Sequence, residues 1–368
     1  MMVPARKNIR DVTVETLAPP PQVRIPLDGT LPLVDVGERV TAGQRLAQTP
    51  EGALFRCAHS PLTGRVLENR GWVEVVGELE PPRPIPGDPS DDVVLAAREA
   101  GLVGMGGGLY PTYAKLEAAR GVEWLIVNGC ESEPYVTCDQ GVLTAYGDEV
   151  EGGAAYAAAA VGARHTVVVS DAPYPGGDER TLVATVCGVP VPVGGLPRDV
   201  GAVVLNVQTV RSLWLAVEKR EPLVSRVVTV AGGAVARPGN YEIPLGTPIG
   251  HVLEQCDVDI RAVAVLLEGG PMMGEEVTAD DVVGPGTVAI LALTRNEVAE
   301  APVDEPCIRC GRCMSACPYA LPVPLLLDEP CAELRRCVEC GVCQFVCPAR
   351  RALVPLLREA KRGLGGVA

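Results

Sequence analysis

Aromatic side chains are scarce in this chain, with 2 Phe, 8 Tyr and 3 Trp among 368 residues. Its cores must therefore be filled by Val, Ala and Leu, and 41 Gly with 34 Pro point to many tight turns. Positive charge is also in deficit. Against 46 Asp and Glu stand only 32 Lys and Arg, and the resulting net charge of -14 excludes nucleic acid as a partner, because its phosphates would be repelled. No uninterrupted apolar run reaches about 18 residues, so no membrane span is expected. The opening Met1-Met2-Val3-Pro4-Ala5-Arg6-Lys7 lacks the apolar centre of a secretion signal, and the expectation is a cytoplasmic protein. The length suits two to three domains, and 47% hydrophobic residues can fill several cores.

Cysteine is plentiful, and eight of the 14 fall into two copies of one pattern near the C-terminus. The first is Cys307-Ile-Arg-Cys310-Gly-Arg-Cys313-Met-Ser-Ala-Cys317-Pro318. The second is Cys337-Val-Glu-Cys340-Gly-Val-Cys343-Gln-Phe-Val-Cys347-Pro348. This C-x2-C-x2-C-x3-C-P run resembles that of bacterial two-cluster ferredoxins, in which three thiolates wrap one cubane and the fourth ligates the other. It predicts two [4Fe-4S] clusters: Cys307, Cys310 and Cys313 with Cys347, and Cys337, Cys340 and Cys343 with Cys317. Structural zinc takes two C-x2-C pairs well apart, and disulfides suit small secreted scaffolds; neither matches four cysteines within eleven residues, twice. Of the remaining Cys57, Cys130, Cys138, Cys187, Cys256 and Cys331, most read as small buried residues, and Cys331, close before the second motif, is left out of the ligand set because the eight others complete both cubanes. Two cubanes make this a chain that moves single electrons.

Along the rest of the chain, apolar residues alternate around glycines from 24 to 76, which marks hairpins of a small all-β unit. The halves Val34 to Leu46 and Ser60-Pro61-Leu62-Thr63-Gly64-Arg65-Val66 resemble a barrel-sandwich, lipoyl-like domain. The carrier lysine is missing from 53–59, so the unit reads as structural, with His59 a turn residue rather than a ligand. Five prolines in 81–89 predict a stiff linker, and 91–100 a short helix capped by Ser90 or Asp91. In the loop 101–111, Gly104, Gly106, Gly107 and Gly108 would let backbone N–H groups approach an anion. A helix starting near Thr112 would place Lys115 as a charge for a phosphate, although a flexible loop or tight helix packing would also explain the glycines.

An apolar strand at 124–128 ends in Asn128-Gly129-Cys130-Glu131-Ser132-Glu133, a polar turn where open α/β sheets hold ligands. Helices at 149–163 and 209–219 with strands at 166–170 and 202–207 imply a largely parallel sheet, so 90–222 reads as one α/β domain with a nucleotide pocket. From 226 to 293 the order hairpin, helix, strand fits a small β-grasp domain, and 297–305 links it to the cysteine segment.

Together these stretches resemble the C subunit of the Rnf electron-transport complex and its relatives, including a cobalamin-reductase-like protein. The likeness spans nearly the whole chain. It rests on the barrel-sandwich start, the glycine loop ending in Pro111-Thr112, 128–135, Tyr174-Pro175 to Glu179, Asn206-Val207-Gln208-Thr209, 269–274 and the cysteine motifs. The resemblance implies a multidomain α/β chain with small β domains: a barrel-sandwich unit at 1–80, a domain like the FMN- and NADH-binding subunit of complex I at 90–222, a β-grasp SLBB domain at 223–295, and a helical two-cluster ferredoxin domain at 300–368. It implies that Gly104, Gly106, Gly107 and Lys115 surround the FMN phosphate and ribityl chain. Asn128, Glu131, Asn206 and Thr209 would line the flavin, and Glu133 would face the NADH. Two positions depart from the family pattern: Leu109 replaces a loop glycine, and Leu205 a second asparagine. The implied function is transfer of electrons from NADH through FMN and both clusters to protein partners, including membrane-integral Rnf-type subunits on which the chain docks peripherally. A flavin-free redox adaptor and a cobalamin reductase are the alternatives.

Overall fold

In the computed structural model, which describes residues 12–85, 92–131, 133–172, 174–298 and 306–364, strand Trp124–Asn128 lies between two parallel neighbours, His165–Val169 and Ala202–Asn206. Leu125, Val127, Val203 and Leu205 face one buried core, while Ile126, Ala202 and Val204 face another. A strand buried on both sides has no polar position to spare, which is why these segments are continuous apolar runs. Helices Gly147–Val161 and Val207–Trp214 cover the first face, and Glu179–Cys187 covers the second. Gly153 marks the crossing of the first two, since a Cβ there would lie 2.0 Å from the Val210 carbonyl oxygen.

Helix Val93–Glu99 is capped by Asp92, whose carboxylate accepts from Val94 N and Leu95 N at 3.0 Å. The caps expected at Ser90 and Asp91 lie outside the described residues. Helix Thr112–Ala118 begins where the glycine loop ends. Two helices went unforeseen in the sequence, Cys138–Ala145 and Glu179–Cys187; the second is capped by Asp178.

A six-stranded sheet follows, in the order Val14–Thr16, Gly239–Pro244, Ser225–Ala231, Ala289–Thr294, Val263–Glu268, Glu275–Glu276. Its outer strand comes from the far N-terminal end of the chain and pairs in parallel with Gly239–Pro244. Helix Ile249–Gln255 packs on this sheet through Ile249, Val252 and Leu253. Between them in sequence, two small sheets share a core of Val23, Val40, Leu46, Leu62, Val66, Val73 and Val75: one holds Gln22–Pro26, Trp72–Leu79, Leu62–Glu68 and Arg39–Val40, the other Leu31–Pro32, Arg45–Gln48 and Cys57–His59. The described part of the proline stretch is held in place, with Arg83 N donating to Ala42 O and Ile85 N to Arg220 O.

The cysteine segment is built of short helices, Arg312–Ala316, Val323–Asp328, Val342–Phe345 and Leu353–Gly363, around Leu321, Val323, Leu326, Leu334, Leu353 and Leu357. No helix among the described residues is long and apolar enough to cross a membrane.

Candidate functional site

Parallel register places Asn206 beside Asn128 at the carboxyl end of the three-stranded sheet. Both amides are engaged locally. Asn128 donates to Gly177 O at 2.9 Å and accepts from Cys130 N at 3.0 Å. Asn206 accepts from Gln208 N at 2.9 Å and donates to the buried Asp139 Oδ2 at 2.6 Å. The glycine loop folds over this edge. Gly104 N donates to Tyr110 O and Leu109 N to Gly104 O, closing the loop. Met105 anchors it from below, its N–H donating to Thr209 Oγ1 at 2.9 Å and its carbonyl accepting from the fully buried Arg226 at 3.3 Å. Leu109 takes φ +49°, so the left-handed turn survives without its glycine, at roughly 1–2 kcal/mol of backbone strain.

Between loop, sheet edge and helix starts lies a cavity of about 390 Å³, within the range of small-molecule sites. Six of the expected residues line it: Gly104, Gly106, Lys115, Asn128, Asn206 and Thr209. Three do not. Gly107 has φ +98° and no atom within 4 Å of where a Cβ would sit. Glu131 accepts from Gln140 N at 2.7 Å. Glu133 Oε2 accepts from Met272 N at 2.6 Å and Met273 N at 3.2 Å, tying the polar turn to the six-stranded unit; burial still raises its pKa to about 6 against those two donors.

Lys115 Nζ stands 2.6 Å from Glu179 Oε1, so its charge is partly compensated before any anion arrives. Thr112 lines the cavity, and its buried hydroxyl has no hydrogen-bond partner among the described residues, which suits it to a polar ligand. Leu205 makes one apolar wall, and Tyr110 and Tyr174 supply aromatic ones. Thr112, Tyr174 and Glu179 escape a reading by spacing alone, because their sole signal is membership of the motifs Pro111-Thr112 and Tyr174-Pro175 to Glu179. The last wall comes from the cysteine segment itself, through Val338 and Cys340.

Within that segment, Cys307, Cys310, Cys313 and Cys347 surround one small cavity, and Cys317, Cys337, Cys340 and Cys343 surround another. The copies share unusual backbone at equivalent places: Arg309 and Glu339 at φ +53° and +59°, Gly311 and Gly341 at +74° and +77°, Ala320 and Arg350 at +52° and +51°. In each copy a main-chain N–H donates to a sulfur at 3.4 Å, Arg309 N to Cys307 and Glu339 N to Cys337. No group of three or more Cys, His, Asp or Glu among the described residues is spaced for a single metal ion. Burial, with repulsion from Cys337 and Cys340, pushes the Cys343 thiol up to about 12. Cys331 is exposed and lines neither cavity.

The model of the Nuo51 FMN-binding domain matches residues 97–173, and the SLBB domain model matches 227–276. The C subunit of the ion-translocating oxidoreductase complex of Rhodobacter capsulatus is 32% identical, over 84% of this chain and 69% of that one. The C subunit of the proton-translocating ferredoxin:NAD(+) oxidoreductase complex of Clostridium ljungdahlii is 31% identical, over 86% and 80%. Its Na(+)-translocating counterpart from Acetobacterium woodii is 31% identical, over 90% and 87%. Among solved structures, an air-oxidized NAD+-reducing [NiFe]-hydrogenase chain reaches a TM-score of 0.48 at 20% identity, over 74% of this chain and 54% of that one, too low to carry an argument. Membership therefore rests on the sequence relatives and the two domain models: the chain belongs to the family of C subunits of ion-translocating oxidoreductase (Rnf) complexes.

Proposed function

We propose that this chain is the electron-transfer subunit of an ion-translocating oxidoreductase, drawing electrons from NADH through FMN and passing them over two [4Fe-4S] clusters to a protein partner. The observation that carries the reading is the position of Cys340, which belongs both to the wall of the large cavity and to one cysteine quartet. Electrons released in the large cavity would meet the Cys317, Cys337, Cys340 and Cys343 site first. The Cys307, Cys310, Cys313 and Cys347 site, with Cys310 exposed, would be the exit.

The residues present fit both groups. Each quartet is an all-thiol donor set in apolar walls with an N–H aimed at sulfur, as cubanes require. For FMN, Lys115 and the N–H groups of the loop would hold the phosphate, Thr112 would gain its missing partner, and Gly104, Gly106, Asn128, Asn206 and Thr209 would frame the ring and ribityl chain. Gly107, Glu131 and Glu133 then shape the surrounding turns. Bound there, FMN would supply two-electron acceptance and one-electron release.

This reading assigns a barrel-sandwich unit to 1–80, except that strand Val14–Thr16 is lent to the six-stranded sheet, the flavin domain to 90–222, a β-grasp SLBB domain to 223–295 and a two-cluster ferredoxin domain to 300–368. Partners are other redox subunits, and the chain would dock on membrane-integral ones at the cytoplasmic face. Relatives named for ferredoxin:NAD(+) oxidoreductase complexes support NADH as the nucleotide.

Anaerobic purification with iron, sulfide and flavin quantification, followed by an NADH bleach of the visible spectrum, tests it. About eight irons, one FMN and rapid bleaching are expected. Full iron without flavin and without a response to NADH would replace this reading with a flavin-free adaptor.

A further inference from the structure

Tyr174 stands between the two kinds of site. Its ring lines the large cavity, and its hydroxyl donates to the carbonyl of Cys340, whose side chain belongs to the neighbouring cysteine quartet. Tyr319 crosses in the opposite direction. It lines the cavity of that quartet, and its hydroxyl donates to Asp178 Oδ2 at 2.9 Å and lies 2.7 Å from Thr181 Oγ1. Asp178 is itself a wall of the large cavity and the cap of helix Glu179–Cys187, accepting from Arg180 N and Thr181 N at 3.1 Å. The main chain packs tightly at the same junction, since a Cβ on Gly341 would lie 2.9 Å from Met272 O.

Resting on the function proposed above, we propose that Tyr174 and Tyr319 are positioning residues, a reciprocal latch that holds the Cys340 quartet against the nucleotide cavity and so sets the flavin-to-cluster separation. Tyrosine suits this role because its rigid apolar ring seals the wall while its polar tip bonds across it. The Tyr174 hydroxyl directs the positive end of its dipole toward the quartet's main chain, which favours the reduced, more negative cluster.

The test uses the full chain, reconstituted anaerobically with iron and sulfide and no added flavin, as parent, Tyr174→Phe and Tyr319→Phe. Redox titration by electron paramagnetic resonance should show one of the two cluster signals moving to lower potential in Tyr174→Phe while the other stays, with iron held at about eight. Hydrogen exchange over 174–178 and 338–341 should quicken several-fold in Tyr319→Phe. Tyr156→Phe, whose hydroxyl meets Glu218 on the exterior, is the control and should change neither. Both cluster signals moving together, or no change in either variant, would overturn the latch. Failure of the parent to load about eight irons would instead overturn the proposed function. The exchange measurement is made on the iron-loaded chain and needs no flavin, so it decides the latch even where FMN does not bind.

Discussion

The large cavity and the cysteine quartets sit a shared wall apart, yet they are stabilised by opposite means. The cavity is framed before anything binds: Asp139 holds Asn206 and Gln208, Gln208 accepts from Val227 N, Thr209 and Arg226 hold Met105, and a three-stranded sheet backs them all. The cysteine segment has only short helices, four to eleven residues long, around a handful of aliphatic side chains. Helices so short are marginal alone, and under the function proposed above the two clusters would staple so small a core. One region is a scaffold that makes a site; the other, with the proposed clusters bound, would be a site that makes its scaffold.

The contrast breaks or holds first on removal of iron. Chelation should strip segment 306–364 of its protease resistance while the strand Trp124–Asn128 keeps its exchange protection, because metal binding there is folding free energy. A segment that stays protected without iron would end the distinction.

A smaller effect comes from Glu133, which ties the cavity's polar turn to Met272 and Met273. Its folded pKa is raised by burial from 4.5 to about 6. A raised carboxyl stabilises fully below pH 4.5 and loses that contribution as pH climbs through 6, a difference of about 2 kcal/mol. Melting of the iron-depleted chain should show this decline, and Glu133→Gln should flatten it. An unchanged profile in the variant would assign the pH response elsewhere.

Leu109→Gly sharpens the point that the loop is held by its anchors. Relief of roughly 1–2 kcal/mol of left-handed strain is offset by about 0.5–1 kcal/mol of extra chain entropy, so the melting temperature should rise slightly. A fall would mean that the leucine packing over Gly286 outweighs the strain. Smallest is Glu179→Gln. Freeing Lys115 from a half-exposed ion pair should tighten FMN roughly two- to five-fold by fluorescence titration, the scale of such pairs. Weaker binding would show instead that Glu179 helps to hold the ligand.

Features legible in the chain before folding are those whose parts lie close together along it. Three cysteines at x2 spacing already gather most of a quartet, and the repeat of the motif supplies the fourth; apolar runs such as Trp124–Asn128 declare a strand buried on both faces. The glycine loop and Lys115 were legible for the same reason, since their geometry is local. Which of these residues meet depends on the packing of whole elements. Gly107 turned outward although its neighbours line the cavity, and Glu133 was taken by main-chain donors 139 and 140 positions away. Strand Val14–Thr16 joined a sheet whose next strand begins at Gly239. Tyr174 reached Cys340 across 166 positions. Spacing encodes contacts within a turn or two, whereas a wall assembled from distant segments depends on how whole sheets and helices bury their faces, and no single stretch of sequence carries that.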